Sequence, residues 1–495
     1  MRRTDRPNIL FLFSDQQRAD TIGALGNPFA KTPHLDRLCR EGTAFTSAYS
    51  PSPECVPARC CVLTGHYVNR HGCGCNEQSM PPADTPSFMS RLAEAGYRTH
   101  GVGKCHFTPD PMALRGFQTR ETSEELSGPE ERNDYFDFVR DQGYAHVLEP
   151  LGVRGEMYYI PQPAQVPEEV HHSRWVADRC RDFIDAQAGS DQPWLLYAGF
   201  IHPHPPFNPP NPWHKLFRAP EMPLPHLPAG YEALHCFINR YQNRYKYRDR
   251  GLDLNLIRCI RAYYHACISF LDYQVGRILE TLEAKGQLEN TLIVFSSDHG
   301  ELLGDFGCFG KRSFHDAAAR VPLIARWPGQ FPAGEICDAP ASLVDLAPTF
   351  CRAADAEPTP EADGCDLREL ARGENEREAV FSQYNRGDNT LAMVFGRDYK
   401  YIWSAPDQRD YLFRRDDLPE TRDLAGNPGH HAAREAMRTL LTAHLREGNF
   451  ADEVLTLEGE FRPAPVRSLP ANPDAGLIYQ DPGHRSFSFP PPYRD

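Results

Sequence analysis

Two stretches of the chain share one pattern of apolar and polar positions. NILFLFSDQQ (8–17) and NTLIVFSSDHGE (290–301) each run apolar without alternation and then break into Ser-Asp. A continuous apolar run of this length predicts a strand buried on both faces, ending in a polar residue at its carboxyl end. QPWLLYAGF (192–200) repeats the strand pattern, and TPSFMSRLAEAGYRTHGVGK (85–104) reads as helix, glycine stop at Gly96, then strand. RAYYHACISFLDYQVGRILETLEAKG (261–286) predicts a long amphipathic helix ending at Gly286. Such alternation indicates an α/β fold, a large, mainly parallel sheet sandwiched by helices.

HPHPPFNPPNPWHKLFRAPEMPLPHLPAG (202–230) is too proline-rich for helix or inner strand, and predicts a rigid extended loop over one sheet edge. After about residue 375 the texture changes. AVFSQY, LAMVFGRDYKYIW and DYLFRRDD are short strand patterns with turns between them, followed by the helix pattern HHAAREAMRTLLTAHLREG. The expected division is a catalytic α/β domain over 1–375 and a smaller α+β subdomain over 376–495, with antiparallel strands, a helix and an extended tail. The tail HRSFSFPPPYRD stays loose unless it docks, and is a candidate contact for self-association.

Composition narrows the functions. Lys+Arg 53 against Asp+Glu 67 gives a net charge of −14, which disfavours generic binding to nucleic acid or anionic membrane. No apolar run reaches the ~18 residues of a membrane span, and NILFLF is too short for a signal peptide's apolar region. The fifteen cysteines, an odd number without regular spacing, fit reduced thiols and a cytoplasmic location.

Ligands of open parallel sheets gather beyond the carboxyl ends of the strands, so Asp15 and Asp298 are candidates for one shared site. Asp15, Gln16, Asp298 and His299 bring three oxygen-bearing side chains and one imidazole, which suits Ca²⁺, Mg²⁺ or Mn²⁺. Lys104 and His106 in VGKCHF, His204 in HPHPPF and Lys311 in FGCFGKRSF converge on the same sheet edge. Cations beside a divalent metal make an anion trap.

PECVPARCCVLTG (53–65) crowds three cysteines against an arginine. CVPAR followed by CCVLTG resembles the C-x-P-x-R-x-x-x-L-T-G signature of type I sulfatases, in the alkaline phosphatase-like superfamily. In that family the cysteine is oxidised to Cα-formylglycine by a dedicated generating enzyme. The resemblance continues through NILFLFSDQQ, TPHLDRLCREGTAFTSAYS, GKCHF and SSDHGELLG, in the family's order, and through KTPHLDRL, LDYQVGRIL and ARVPLIARWPG.

The resemblance implies that Cys55 is the reagent and that Cys60 and Cys61 are bystanders. The metal ligands fall on Asp15, Asp298 and modified Cys55, with Gln16 and His299 where other members have Asp and Asn; Ca²⁺ stands ahead of Mn²⁺ and Mg²⁺. Arg59 holds the formylglycine and the anion, and Lys104 and Lys311 bind substrate oxygens. Asn76 in CGCNEQSMP resembles a polar substrate-site residue, and His202 is a second substrate-site candidate.

The implied chemistry is attack on sulfur by the aldehyde's geminal diol, with the leaving oxygen protonated by His204, assisted by Lys311. The second hydroxyl then releases the sulfate, its proton going to His106. The helix beginning near Pro57 aims its positive end at the transferred group. The substrate is an aryl, choline or sugar sulfate monoester; for a quaternary ammonium, Tyr135, Phe136, Phe207 and Trp213 are cage candidates. The rival activity is a phosphonate monoester or phosphodiester hydrolase of the same superfamily, and a remote one an inactive binder of sulfated ligands.

Overall fold

A computed structural model describes residues 6–125, 132–154, 157–247, 253–417 and 420–469. The tail HRSFSFPPPYRD and its self-association lie outside these residues.

The main sheet has eight strands, in spatial order β5 (Thr119–Thr122), β4 (Arg98–Gly103), β6 (Trp194–Pro203), β1 (Asn8–Asp15), β7 (Thr291–Ser297), β8 (Leu323–Arg326), β2 (Thr43–Phe45) and β9 (Glu335–Cys337). The first five run parallel, β8 is antiparallel to both its neighbours, and β2 and β9 are again parallel. A short ladder joins β3 (Ala48–Tyr49) to β10 (Ala341–Ser342).

The unbroken apolar run of β1 has a direct cause. Ile9, Phe11 and Phe13 pack into one core with Phe88, Tyr197 and Phe350, while Leu10 and Leu12 pack into another with Leu271, Val275 and Ile278. Both faces are covered, so no position is left for a polar residue until the strand ends. The long helix supplying the second face spans Leu254–Ala284 and is capped by Asp253, which accepts from the N–H groups of Asn255 and Leu256. It starts seven residues before the amphipathic stretch predicts.

The proline-rich stretch is mostly extended with short 3₁₀ turns, as at Trp213–Lys215, but His202 and Pro203 finish β6. Beyond residue 375, β11 (Ala379–Tyr384), β12 (Leu391–Gly396), β13 (Tyr399–Ser404) and β14 (Arg409–Arg414) form an antiparallel meander. The helix His431–Arg446 covers one face through Met437, Leu441 and Leu445. The other face packs on the main body through Val380, Met393, Phe395 and Phe413.

Two helices near the amino terminus complete the frame: α1 (Pro33–Glu41) and α2 (Cys55–Thr64). The latter begins at Cys55, two residues earlier than the sequence suggests. Glu54 is extended at the cap, and the Asn76 side chain accepts the N–H of Val56 at 2.9 Å. Pro57, in the first turn, lacks an N–H that would have no helical partner there. Cys55 therefore lies inside the first turn. All ten residues of α2 are buried, and the helix stops at Gly65, whose left-handed φ of 74° suits glycine.

Candidate active site

Four adjacent strands end side by side and bring the candidate residues together: Lys104 and His106 after β4, His204 after β6, Asp15 at the end of β1 and Gln16 just past it, Asp298 and His299 after β7. The close approach of β4 and β6 depends on glycine. A Cβ on Gly199 would stand 2.2 Å from the carbonyl oxygen of Lys104, and one on Gly103 would stand 2.1 Å from that of Gly199. Gln16 and His106 hold positive φ, 64° and 54°, an arrangement that non-glycine residues adopt chiefly where the surroundings enforce it.

Cys55 Sγ is the focus of this arrangement. It lies 2.8 Å from Lys311 Nζ, 3.3 Å from His299 Nε2, 3.8 Å from Asp15 Oδ1 and 3.9 Å from Lys104 Nζ. Burial and Asp15 push the thiol up, but Lys104, Lys311 and His299 outweigh them, so its pKa falls below that of an ordinary thiol.

Arg59, one turn further along α2, reaches under the strand ends. Its guanidinium meets Asp298 Oδ2 at 3.1 Å and Asp15 Oδ2 at 3.1 Å, donates to Tyr197 Oη at 2.8 Å and to the Lys104 carbonyl at 3.1 Å, and lies 5.0 Å from the Phe13 ring centre. Every part of this arginine is engaged. Burial alone would raise the Asp15 carboxyl, but Lys104, His204, Lys311 and Arg59 hold it well below the usual carboxylate range.

With their Oδ2 atoms held by Arg59, the two aspartates turn Oδ1 toward His299. His299 Nε2 lies 3.5 Å from Asp298 Oδ1 and 3.8 Å from Asp15 Oδ1, while Nδ1 contacts the Gly300 carbonyl at 3.0 Å. One donor atom from each of Asp15, Cys55, Asp298 and His299 lies within 4.8 Å of the others, all buried. Ligands sharing one ion at about 2.0–2.6 Å stand roughly 3–4 Å apart, so these residues fit a divalent cation. The Gln16 side chain donates to Glu301 and accepts from Lys311 Nζ at 2.9 Å, so its oxygen borders the same group.

The two other histidines near the nucleophile are neutral. Burial, then Lys104, brings His106 down to about 3, and its Nδ1 has no hydrogen-bond partner. Burial and Lys311 hold His204 well below the ordinary imidazole value; its Nδ1 contacts the Pro205 carbonyl at 2.7 Å and its Nε2 faces Tyr158 Oη at 3.5 Å.

The remaining candidates lie differently. Both nitrogens of His202 are engaged in the interior, at 3.3 Å from Ser173 Oγ and 2.7 Å from the Asn208 side chain, and its ring stacks on His171; it buttresses the loop instead of facing Cys55. Asn76 caps α2 and so positions Cys55. The four aromatic residues form no single cage: Tyr135 and Phe136 pack in the core behind β6, Phe207 packs with Tyr159 and Tyr264, and Trp213 rests on Phe270 and Tyr273. All fifteen cysteines are free.

Several site residues escape a sequence reading. Tyr197 places a hydroxyl within the apolar run 194–201 of β6. Glu301, which binds the Gln16 side chain, Tyr159 Oη and the N–H groups of Leu303 and Gly310, follows the Asp-His-Gly turn directly. Glu125, Arg154 and Tyr158 lie in polar segments with no distinguishing pattern. Glu125 contacts Lys104, Arg154 and His204 at once.

A mainly parallel, eight-stranded α/β sheet with an antiparallel C-terminal subdomain is the fold of the alkaline phosphatase-like sulfatase superfamily. A family model described as Sulfatase matches residues 7–356, and the chain belongs to the sulfatase family. A second, N-sulphoglucosamine sulphohydrolase, C-terminal, matches residues 304–447. The chain is 26% identical to an arylsulfatase of Clostridium perfringens, across 92% of this chain and 98% of that one. It is 30% identical to the multifunctional alkaline phosphatase superfamily protein PehA of Trinickia caryophylli, across 91% and 97%. The solved structure of the phosphonate monoester hydrolase SpPMH from Silicibacter pomeroyi superposes with a TM-score of 0.78 at 26% identity, covering 92% of this chain and 99% of that one. Among the described residues no helix is long and apolar enough to cross a membrane.

Proposed function

We propose that the protein hydrolyses sulfate monoesters at residue 55, once the generating enzyme has converted Cys55 to formylglycine. The observation that supports this most is the position of Cys55: first turn of a buried helix, 2.8 Å from Lys311 Nζ and ringed by Asp15, Asp298 and His299. Hydrated formylglycine supplies an oxygen nucleophile and a second hydroxyl through which the covalent ester is expelled. Asp15, Gln16, Asp298, His299 and residue 55 would hold a divalent cation, which would supply positive charge at the transferred group, and the oxygen-rich set favours Ca²⁺.

The chain's own residues perform the rest. Arg59 fixes both aspartates, so the inner oxygens stay in place without reorganisation. Lys104 and Lys311 carry the charge that meets the ester's oxygens. Neutral His106, with a free ring nitrogen, takes the hydroxyl proton when the covalent ester breaks down. His204, held well below the ordinary imidazole value by burial and then by Lys311, is the group placed to deliver a proton to the leaving oxygen, and an arriving anion raises its pKa by offsetting Lys311.

Phosphonate monoester hydrolysis is the second reading, favoured by the TM-scores of 0.78 and 0.76 to two phosphonate monoester hydrolases. The deciding experiment compares kcat/KM for an aryl sulfate and an aryl phosphonate monoester with the same leaving group, on protein whose residue-55 peptide has the formylglycine mass. A higher value for the sulfate is expected. A tenfold preference for the phosphonate, ~1.4 kcal/mol, would replace the first reading with the second.

A further inference from the structure

Among the carboxylates of the described residues near Cys55, Asp15, Asp298 and Glu301 are committed inward. Asp15 and Asp298 face the cation site and Arg59, and Glu301 is spent on Gln16, Tyr159 and two backbone N–H groups. Those three side chains are fully buried. Glu125, in contrast, has 11% of its side chain exposed. One Glu125 oxygen, a His106 ring nitrogen and Cys55 Sγ lie within 4.8 Å of one another.

The contacts of Glu125 decide how much positive charge an incoming anion finds. Lys104 is shared between Asp15, at 2.5 Å, and Glu125. Arg154, itself buried, gives its NH2 to Glu125 Oε2 at 3.1 Å, and His204 Nδ1 lies 3.4 Å from the same oxygen. Arg59 is taken by the two aspartates. Lys311 is the cation beside the nucleophile whose protein partners are a thiol sulfur and a neutral amide oxygen. A monoanion would meet Lys311, Lys104 partly neutralised by its two carboxylates, and a cation if Asp15, Asp298 and His299 hold one; a second negative charge would be brought against Glu125.

We propose that Glu125 is a specificity-determining residue that makes this site select monoanionic esters, such as sulfate monoesters, phosphonate monoesters and phosphodiesters, over dianionic phosphate monoesters. The inference rests on the reading of residue 55 as the centre of an anion site. It adds the charge class of the substrate and the residue that sets it.

The test uses two non-hydrolysable probes of nearly equal shape, benzenesulfonate as monoanion and phenylphosphonate as dianion, with calorimetry on the metal-loaded protein above the phosphonate's second ionisation. The wild type is expected to bind benzenesulfonate at least as tightly as phenylphosphonate. Glu125→Gln should shift the affinity ratio toward the dianion by tenfold or more, and Glu125→Asp, which keeps the charge, should restore the wild-type ratio. A merely structural role would weaken both probes together, and that result, or an unchanged ratio, overturns the proposal. If Glu125→Gln does not fold, the wild type decides alone, since a tenfold preference for the dianion overturns it. Binding of neither probe overturns both the proposal and the anion-site reading, whereas failure to cleave any ester, with the ratio shifted as expected, overturns only the proposed reaction.

Discussion

Replacing Arg59 by Met removes the guanidinium that supports the site and keeps an unbranched apolar stem. The guanidinium is 3% exposed and lies 3.1 Å from Asp15 and 3.0 Å from Asp298. With charge centres about 4 Å apart and an effective dielectric near 20, each pair is worth about 4 kcal/mol in gross attraction. The arginine's own desolvation offsets much of the sum, and breaking one side of a buried pair costs about 3–5 kcal/mol net, because the abandoned carboxylates stay buried. Tyr197 and the Lys104 carbonyl lose a donor as well. We expect Arg59→Met to lower the denaturation free energy of the metal-free protein by about 4 kcal/mol, and Arg59→Lys, one point donor for four acceptors, by about 2 kcal/mol.

The pH dependence supplies a second signature of the same interaction. Asp15 titrates well below its unfolded value of about 3.9, so it adds stability above that pH which is lost as the pH falls through the folded pKa. Arg59→Met removes one of the four groups that hold that pKa down, the others being Lys104, His204 and Lys311, and the drop in stability below about pH 4 should become slightly shallower. Urea denaturation between neutral pH and pH 3 measures both effects. A loss under 1 kcal/mol with the acid limb unchanged would refute the claim that Arg59 holds the aspartates together.

Two further outcomes follow from the geometry. Asp298→Ala and His299→Ala should each retain the fold by circular dichroism yet lose the divalent metal in elemental analysis after dialysis, and lose thermal protection by added Ca²⁺; retention of stoichiometric metal in both would remove the site. Gly199→Ala should destabilise by ~1–3 kcal/mol and lower turnover by displacing Lys104, because its Cβ would press on the Lys104 carbonyl; wild-type stability and activity would show that β4 and β6 can part freely.

Much of this site is legible in the chain because its residues sit where local pattern changes. Asp15 and Asp298 terminate apolar runs that only a doubly covered strand accommodates, and the proline and glycine of PECVPARCCVLTG mark the first turn and the end of α2. These signals are local: burial period, missing donors and left-handed φ all act within a few residues. Their adjacency is not local. That β1 and β7 are neighbours, with Ser14 opposite Ser297, follows from strand order, which one sequence does not display.

Side chains recruited from irregular segments were decided by tertiary packing alone. His202 and His204 share one short proline-rich motif, yet His202 turns into the interior toward Ser173 and Asn208 while His204 faces Tyr158 and Glu125. Their composition is the same, and the end of β6 between them sets opposite directions. Glu125 carries no pattern at all, and it matters only because the fold brings Lys104, His106 and Arg154 around it. Charge fields add over distance in space, so the charge an anion meets at Cys55 is a property of the assembled strand ends and of no single segment.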